Sequence, residues 1–295
     1  MSEDIFIGLD GGGTKTQLIV EDANGNLIGQ GRSGPSNIRL SASAAWNSIF
    51  DALEKAFKDT GLSLKDPHYQ FHVGMGLAGT EVLSSCENFL NKPHPFKTLT
   101  LRSDAYTACL GAHDGKDGDI IIIGTGVIGY QVYNSIESQV NGWGFPHGDE
   151  GGGAWLGMEA LRLTLKWQDG RCEKTEMLSA IYQQFNSNLN KMVEWANSAN
   201  STKFAELAPY VLQYAEQKDK NALLLLQKSA QEIMQINHAL TKISANALKC
   251  SLFGGIAPFI EPYLDKELKD RIVERKHDAA KGAILMVKKQ VMEEL

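Results

Sequence analysis

Two short glycine turns contain the residue types that could bind a phosphate. The first, residues 11–16, reads Gly-Gly-Gly-Thr-Lys-Thr and separates two apolar runs. Glycines let backbone N–H groups approach an anion closely, and the Thr14 and Thr16 hydroxyls and the Lys15 amine can donate further hydrogen bonds. The second turn, Gly124-Thr125-Gly126, also separates two apolar runs. The first turn therefore predicts a phosphate-binding loop between two strands, and the second repeats its architecture.

Neither turn matches the two familiar phosphate-binding motifs. The Walker motif needs Gly-Lys followed by Ser or Thr and then a helix, whereas Thr14 separates Gly13 from Lys15 and a strand-like run follows. The second turn has the glycine spacing of a dinucleotide fingerprint, but it leads into an alternating strand and not into a helix. A glycine hairpin without a ligand stays the alternative for either turn taken alone.

Two carboxylates follow strands at positions suited to phosphate chemistry. Asp10 ends the first strand beside the first glycine turn, where a carboxylate repels phosphate unless a cation lies between them. Its functional role would be to hold Mg²⁺ through water, and the alternative is an Asp that caps its own turn. Asp104 follows the predicted strand 98–101 and precedes a helix-like segment. It could be the N-cap of that helix or a base for a hydroxyl nucleophile.

A third set of residues has the chemistry to bind a sugar, because it supplies an amide, an aromatic face and a carboxylate in glycine-containing loops. The set consists of Asn37, Trp143, Gly144 and Asp149. Taken singly, these are ordinary loop residues.

The composition is that of an ordinary globular protein, with 43% hydrophobic and 22% charged residues in a chain of 295 residues. This length favours two domains. The net charge of −6, without a block of Lys or Arg, argues against nucleic-acid binding. The four cysteines lie far apart and form no C-x-x-C pair, which argues against a zinc knuckle and a disulfide framework. Neither a signal peptide nor a membrane span is indicated, so we expect a cytoplasmic protein with a small-molecule partner.

Strands and helices alternate along the chain in the manner of an α/β protein. Asn24-Gly25 between apolar runs predicts a hairpin, so the chain opens as a three-stranded antiparallel meander. From Ser41, apolar residues recur at helical spacing, and we expect Gly61 to end this helix. Residues 119–123 form the most apolar strand, which we expect at the centre of a sheet.

From about Met158 the pattern is mainly helical, and the last helix begins near Asp278. The strand–turn–strand unit at residues 5–20 recurs at residues 119–133. A duplicated unit, with two domains facing each other across a cleft, would explain this repeat.

In motif order, the chain resembles the actin and sugar-kinase superfamily, and within it the BadF/BadG/BcrA/BcrD ATPase group with its N-acetylglucosamine and bacterial glucosamine kinases. Residues 10–16 resemble its first phosphate motif, residues 123–126 its second, and Phe253-Gly-Gly-Ile256 its adenosine motif. The resemblance implies two ribonuclease-H-like (actin-like ATPase) domains, each a mixed sheet with flanking helices, around an ATP and sugar cleft. The implied domains are residues 1–115, completed by the helix at about 278–295, and residues 116–277.

The resemblance further implies an ATP-dependent phosphotransferase that uses Mg²⁺ and phosphorylates the 6-hydroxyl of glucosamine or N-acetylglucosamine. We also expect a homodimer. By residue-wise carry-over, the site residues are Asp104 as catalytic base; Gly11, Gly12, Gly13, Thr14, Lys15, Gly124, Thr125, Gly126, Gly254 and Gly255 for ATP; Asn37, Asp104, Trp143, Gly144 and Asp149 for the sugar; and Asp10 for Mg²⁺.

The alternative is an ATP-hydrolysing activator or a sensor of the same family that transfers no phosphate to a sugar. Some members activate acyl-CoA dehydratases and hold an iron–sulfur cluster through clustered cysteines, a ligand set that this sequence lacks. The loop from Trp143 to Glu150 combines features of glucosamine and N-acetylglucosamine kinases, so the choice of sugar stays open.

Overall fold

The computed structural model describes residues 2–293, which form nine strands, twelve α-helices and a short 3₁₀ turn at Glu261–Tyr263. The strands are β1 (Glu3–Gly11), β2 (Thr16–Asp22), β3 (Leu27–Ser33), β4 (Tyr69–Leu77), β5 (Thr98–Arg102), β6 (Gly118–Ile123), β7 (Val127–Tyr133), β8 (Ile136–Asn141) and β9 (Cys250–Phe253). The helices are α1 (Ala42–Phe57), α2 (Leu83–Leu90), α3 (Asp104–Ala112), α4 (Gly153–Gln168), α5 (Glu176–Gln184), α6 (Leu189–Ser198), α7 (Ser201–Ala205), α8 (Ala208–Glu216), α9 (Lys220–Ser244), α10 (Ala257–Ile260), α11 (Lys266–Lys269) and α12 (Ala279–Glu293). Over residues 2–293, no helix combines the length and the apolar character that crossing a membrane requires.

The chain divides into two compact units. Unit 1 contains the chain up to Gly118, the hairpin tip Val132–Glu137 and the chain from Glu274 onward. Unit 2 contains Asp119–Gln131 and Ser138–Val273.

The sheet of unit 1 has the strand order β3-β2-β1-β4-β5. β1, β2 and β3 pair antiparallel, as the glycine turn and the Asn24-Gly25 signal predict, whereas β4 and β5 run parallel to β1. Because β1, β4 and β5 are parallel, their carboxyl ends meet at one edge of the sheet. The first glycine turn follows β1 at this edge, and Asp104 follows β5.

Helix α1 covers one face of this sheet. Ser41 is its N-cap, because the Ser41 Oγ accepts the N–H of Ala44 at 3.1 Å. The helix ends at Phe57 and not at Gly61, since Asp59 already takes a left-handed conformation with φ of 65°. The prediction that Gly61 ends the helix is therefore wrong.

The other face of the sheet packs against α12. Phe6 contacts Ile284 and Val287, and at Gly8 a Cβ would lie 2.0 Å from the carbonyl oxygen of Ala280. Side chains alternate along a strand, so Asp10 points to this same face of β1. The predicted last helix thus packs on unit 1, and its predicted residues 294–295 lie outside the described residues.

A buried ion pair holds α12 on the sheet. The Glu21 side chain is 6% exposed, and its carboxylate accepts hydrogen bonds from the Lys281 Nζ at 2.5 and 2.7 Å. The Lys288 Nζ lies 3.4 Å from the same carboxylate and 4.9 Å from the ring centroid of Phe6. Two ammonium groups therefore compensate the buried carboxylate, which would be costly to leave alone.

The sheet of unit 2 has the strand order β8-β7-β6-β9, and β6 pairs parallel with β9. The apolar strand at 119–123 thus lies inside its sheet, which confirms the prediction. The helical region begins at Gly153 and not at Met158. The glycines at positions 151–153 have no apolar side chains, so hydrophobic spacing could not indicate where this helix begins. Together the two mixed sheets and their helices confirm the predicted α/β fold class.

Candidate functional site

The first glycine turn has one buried glycine and an open rim. The Gly12 N–H donates to the Lys15 carbonyl at 3.0 Å and closes the turn. At Gly11, a Cβ would lie 1.9 Å from the Ser36 Oγ, so packing requires glycine there. At Gly12 and Gly13, a Cβ would meet no atom within 4 Å. The rim formed by Gly12, Gly13 and the exposed Lys15 is therefore open to a ligand of unit 1.

Thr16 takes no part in this rim. Its side chain is fully buried, and its hydroxyl bonds the Gly34 carbonyl at 2.7 Å and the Ser36 Oγ at 2.8 Å. The expectation that Thr16 donates to a phosphate is wrong, because its hydroxyl fastens β2 to the segment after β3. Thr14, in contrast, is exposed.

Asp10 lies among other carboxylates at the end of β1. Burial, together with the negative charges of Asp104 and Asp278, raises the pKa of Asp10 to about 6, and the Lys15 ammonium limits this rise. Among residues 2–293, no group of three or more His, Cys, Asp or Glu is arranged to enclose a metal ion. Mg²⁺ needs only one or two carboxylates when waters and phosphates complete its shell. The half-buried Asp10 beside an open glycine rim fits that requirement.

Asp104 is the first residue of α3 and not its N-cap. The cap is Ser103, whose Oγ accepts the Tyr106 N–H at 3.1 Å. The N-cap interpretation of Asp104 is therefore wrong, and its side chain is not needed to start the helix. Its Oδ1 accepts the Ala105 N–H at 2.9 Å. Burial raises the pKa of Asp104, the Ala105 hydrogen bond opposes this, and the charge of Glu81 raises the pKa further.

The structure adds Asp278 to the predicted residues of unit 1. Its Oδ1 accepts the Lys281 N–H at 2.9 Å at the start of α12, and its Oδ2 accepts from the Gln17 Nε2 at 3.2 Å. The sequence signal was an Asp just before a helix, which is typical of a cap. Only the fold places this carboxylate near Asp10.

Asn37 lies beside the end of β4. Its side-chain oxygen accepts the Arg39 N–H at 3.0 Å, and at Gly79 a Cβ would lie 2.7 Å from that oxygen. The Arg39 guanidinium and the Glu81 carboxylate form an exposed ion pair at 3.4 Å. Asn37 and Asp104 thus follow strands of the same sheet of unit 1.

The second glycine turn packs against the start of α4 in unit 2. The Gly124 N–H donates to the Gly126 carbonyl at 2.9 Å, while the Gly153 and Ala154 N–H groups donate to the Gly124 and Thr125 carbonyls at 2.8 and 2.9 Å. A Cβ at Gly124 would meet no atom within 4 Å, and Thr125 is exposed. Hydrogen bonds from the start of α4 therefore hold the carbonyl side of this turn, while Gly124 and Thr125 leave its other side open to a ligand.

The predicted adenosine motif lies beside this second turn. Gly254 has φ of 93°, and a Cβ there would lie 2.1 Å from the Ile123 carbonyl oxygen, which also accepts the Ile256 N–H at 3.2 Å. Gly254 is therefore required by backbone conformation and by packing. Gly255 is exposed, and a Cβ there would meet no atom within 4 Å.

Asp149 links the second turn to the predicted sugar loop. Its carboxylate accepts backbone N–H groups of Val127 and Gly144 and would lie 2.4 Å from a Cβ at Gly126. Burial raises the pKa of Asp149, and these two hydrogen bonds lower it. Trp143, next to Gly144, is 75% exposed. Unit 2 therefore brings the second turn, the adenosine motif and the Trp143 loop together.

Known proteins are similar over nearly the whole chain. The chain is 34% identical over 284 residues to the glucosamine kinase of Vibrio cholerae, with 96% of each chain covered. It is 27% identical to the N-acetyl-D-glucosamine kinase of Dictyostelium discoideum, over 82% of this chain and 81% of that one. A solved structure from Chromobacterium violaceum, a proposed N-acetylglucosamine kinase, is 32% identical with a TM-score of 0.80 and covers 96% of this chain and 98% of its own.

A more distant structure, the ROK hexokinase of Thermus thermophilus, shares the fold with a TM-score of 0.60 at 16% identity, over 97% of this chain and 99% of its own. The sequence profile of one family matches residues 7–287, a span that includes both glycine turns and the adenosine motif. The chain therefore belongs to the BadF/BadG/BcrA/BcrD ATPase family.

Proposed function

We propose that this protein is an ATP-dependent kinase that phosphorylates the 6-hydroxyl of an amino sugar, glucosamine or N-acetylglucosamine. The observation that carries the proposal lies in unit 1, where the half-buried carboxylate of Asp104 is close enough to Asp10 for its charge to raise the Asp10 pKa. An open glycine rim for phosphate adjoins this pair. The named glucosamine and N-acetylglucosamine kinases among its relatives support the sugar class.

The two glycine turns would bind the phosphates of ATP. Gly13, Thr14 and Lys15 offer donors on the open rim of unit 1, where the Gly12 N–H already closes the turn, and Gly124 and Thr125 form the open rim in unit 2. Gly254 and Gly255 would flank the adenosine. Asp10 would hold Mg²⁺ through water, and the ion would there offset the phosphate charge during transfer.

Asp104 would accept the proton of the attacking hydroxyl. Its Oδ1 is engaged by the Ala105 N–H, which leaves Oδ2 as the acceptor. The sugar O6 would then attack the γ-phosphorus, the bond to the ADP oxygen would break, and the proton would stay on Asp104. Phosphoryl transfer needs little covalent chemistry from a protein, so positioning carries most of the catalysis.

Asn37, Trp143, Gly144 and Asp149 would bind the sugar. The Asn37 oxygen accepts the Arg39 N–H, so its amide nitrogen is the group that would donate to a sugar hydroxyl. An ionised carboxylate has about four acceptor positions. Asp149 uses acceptor positions for two backbone N–H groups and retains others for hydroxyls of the sugar. The predicted domain bounds, the homodimer and the cytoplasmic location stay predictions.

The test measures ADP release with and without glucosamine, N-acetylglucosamine, glucose and N-acetylmannosamine. The proposal expects strong stimulation by an amino sugar, together with an equal amount of its 6-phosphate. ATP hydrolysis that no sugar stimulates would support the activator alternative. Sugar binding without any turnover would support a sensor.

A further inference from the structure

A short loop of unit 2, residues 142–148, contains Trp143 and is closed across its base by one side chain. The Asn141 Oδ1 accepts the backbone N–H of Asp149 at 3.1 Å. Both residues that form this base are left-handed, with φ of 62° at Asn141 and 64° at Asp149. The Gly148 N–H donates to the Gly144 carbonyl at 2.9 Å within the loop. The Asn141 side chain thus determines where the loop returns to Asp149.

The carboxylate of Asp149 extends this connection in two directions. It accepts the N–H of Val127, next to the second glycine turn, and the N–H of Gly144, inside the loop. Its contact with Gly126 is close enough that a Cβ there would lie 2.4 Å from the carboxylate. A change in the backbone of Asp149 would therefore move a carboxylate that touches both the second turn and the loop.

The second glycine turn and the loop 142–148, which both contact Asp149, are held by different sets of further contacts. The second turn has its own hydrogen bond from Gly124 to Gly126, and α4 donates two further N–H groups to it. The loop is held by the Asn141 oxygen, the Asp149 carboxylate, its internal bond from Gly148 to Gly144 and the Phe145 ring, whose centroid lies 5.2 Å from that of Phe204. The Asn141 oxygen bonds the end of the loop at Asp149 and, within the described residues, makes no bond to the second turn. Loss of the Asn141 oxygen should therefore disturb the loop more than the turn.

We propose that Asn141 is a positioning residue for the sugar, because its side-chain oxygen fixes the backbone of Asp149 and thereby the Trp143 loop. This inference rests on the proposed kinase function, in which the loop binds the sugar and the second turn binds ATP. The loop for the sugar and the turn for ATP are adjacent, but the inference predicts that Asn141 affects only one of them. Its loss weakens sugar affinity and leaves nucleotide affinity nearly unchanged.

The test compares three variants of the full chain. Asn141→Gly accepts the left-handed backbone but removes the oxygen, whereas Asn141→Asp accepts the same backbone and keeps an oxygen at the same place. Asn134→Gly is the matched control, because Asn134 is an exposed, left-handed Asn with φ of 51° in the β7–β8 turn. Its backbone N–H, which donates to Asp117 Oδ1, is retained in the variant.

We expect Asn141→Gly to raise the KM for the amino sugar about five- to tenfold, the effect of one lost hydrogen bond, and to leave the KM for ATP within about twofold. Asn141→Asp should stay within about threefold of the wild type for both substrates, and Asn134→Gly should equal the wild type. Equal sugar KM in Asn141→Gly and wild type would overturn the inference. So would a parallel rise in both KM values, or an Asn141→Asp variant as weak as Asn141→Gly.

Sugar affinity measured by calorimetry without nucleotide separates this inference from the proposed function. If the wild type transfers no phosphate but binds an amino sugar, the kinase proposal fails, and the affinities of the same variants still decide the role of Asn141. If the wild type binds none of the tested sugars, both proposals fail together.

Discussion

At the scale of single residues, the candidate site separates carboxylates that build the fold from carboxylates that do not. Ser103 caps α3, so Asp104 is not required to start that helix. Asp278 has a structural role, because it caps α12, and it also belongs to the candidate site, because its charge acts on Asp10. Substitutions at Asp104 and Asp10 should therefore affect chemistry without loss of the fold.

Asp104→Asn should lower kcat about 10²- to 10⁴-fold, the usual contribution of a positioned base. The amide oxygen can still accept the Ala105 N–H, so the local structure is kept, but the amide cannot accept the hydroxyl proton. Binding of a non-hydrolysable ATP analogue, measured by calorimetry, should stay within about threefold of the wild type. Retention of full turnover would rule out Asp104 as the base.

Asp10→Asn should stabilise the protein while it abolishes Mg²⁺-dependent turnover. The pKa of Asp10 is about 6 in the folded protein and 3.8 as a free side chain, so the folded state binds the proton more tightly. The ionised carboxylate therefore costs stability progressively as pH rises from about 4 to 6, and the cost is constant above that range. Removing the charge should raise the free energy of unfolding by about 3 kcal/mol at pH 7.5 and by about 1 kcal/mol at pH 4.5.

The measurement for Asp10→Asn is urea unfolding at both pH values with a chelator present. A gain that is equal at the two pH values would show that the effect does not come from the ionisation of Asp10. A lower stability than the wild type at pH 7.5 would contradict a net destabilising effect of the ionised Asp10 carboxylate.

At the scale of elements, the packing of α12 on unit 1 depends on glycines that allow backbones to approach. Gly8 and Gly74 of the sheet face carbonyl oxygens of α12, and Gly282 of α12 faces α3. These contacts bring the start of α12, with Asp278, next to the end of β1. The geometry of the site in unit 1 therefore depends on packing glycines that have no chemical role in it.

Gly282→Ala tests this packing, because two effects of the substitution oppose each other. Alanine stabilises an exposed helix by about 1 kcal/mol relative to glycine. Here, however, the new Cβ would lie 1.9 Å from the Thr107 carbonyl oxygen and 2.6 Å from the Gly111 nitrogen, and overpacking of this kind costs about 1–3 kcal/mol or more. We expect a net loss of about 2 kcal/mol in chemical unfolding.

The matched control for Gly282→Ala is Met292→Ala on the same helix. Met292 is 68% exposed, so its truncation should change the unfolding free energy by less than about 0.5 kcal/mol. An unchanged or increased stability of Gly282→Ala would show that helix propensity outweighs the close contact between α12 and α3.

Elements with strong local signals were predictable from the sequence. Asn24-Gly25 and the first glycine turn predicted the meander, and the apolar run at 119–123 predicted an interior strand. The errors lie at helix ends, where α1 stops at a left-handed Asp59 before Gly61 and α4 starts within a glycine run. Local backbone conformation decides such ends, and hydrophobic spacing does not report it.

At the scale of the whole molecule, unit 1 is built from both ends of the described chain, and the sequence of unit 2 lies between them. The core of unit 1 on the α12 face includes Phe6, Ile284 and Val287. The large core of unit 2 consists of residues between Ile121 and Leu268. Each unit therefore buries its own apolar residues.

A chain that ends at Asp278 tests this arrangement. Without α12, β1 and β4 lose the helix that covers one face, so their amides should exchange hydrogen as if unfolded. The amides of β6 in unit 2 should keep their protection. A chain that ends at Glu293 is the control, and native protection of β1 in the shorter chain would contradict a requirement for α12.

The distribution of the site along the chain also explains what sequence reasoning missed. The two glycine turns and the adenosine motif are local, so their residue types identified them. The role of Asp278 depends on contacts such as that with Gln17, 261 positions away, which no local pattern reports. Likewise, nothing in the sequence indicated that Asn141 bonds Asp149 across a loop.

The position of α12 has a consequence for the order of events on the ribosome. The strands of unit 1 emerge first, but the helix that covers Phe6 and Gly8 emerges only after Asp119–Val273 has been translated. At typical elongation rates this takes on the order of 10–30 s. During that interval the nascent chain carries an apolar sheet face without its cover, and Asp10 lacks Asp278 as a neighbour. Strand β1 is thus covered by a helix that is translated only after the sequence of unit 2.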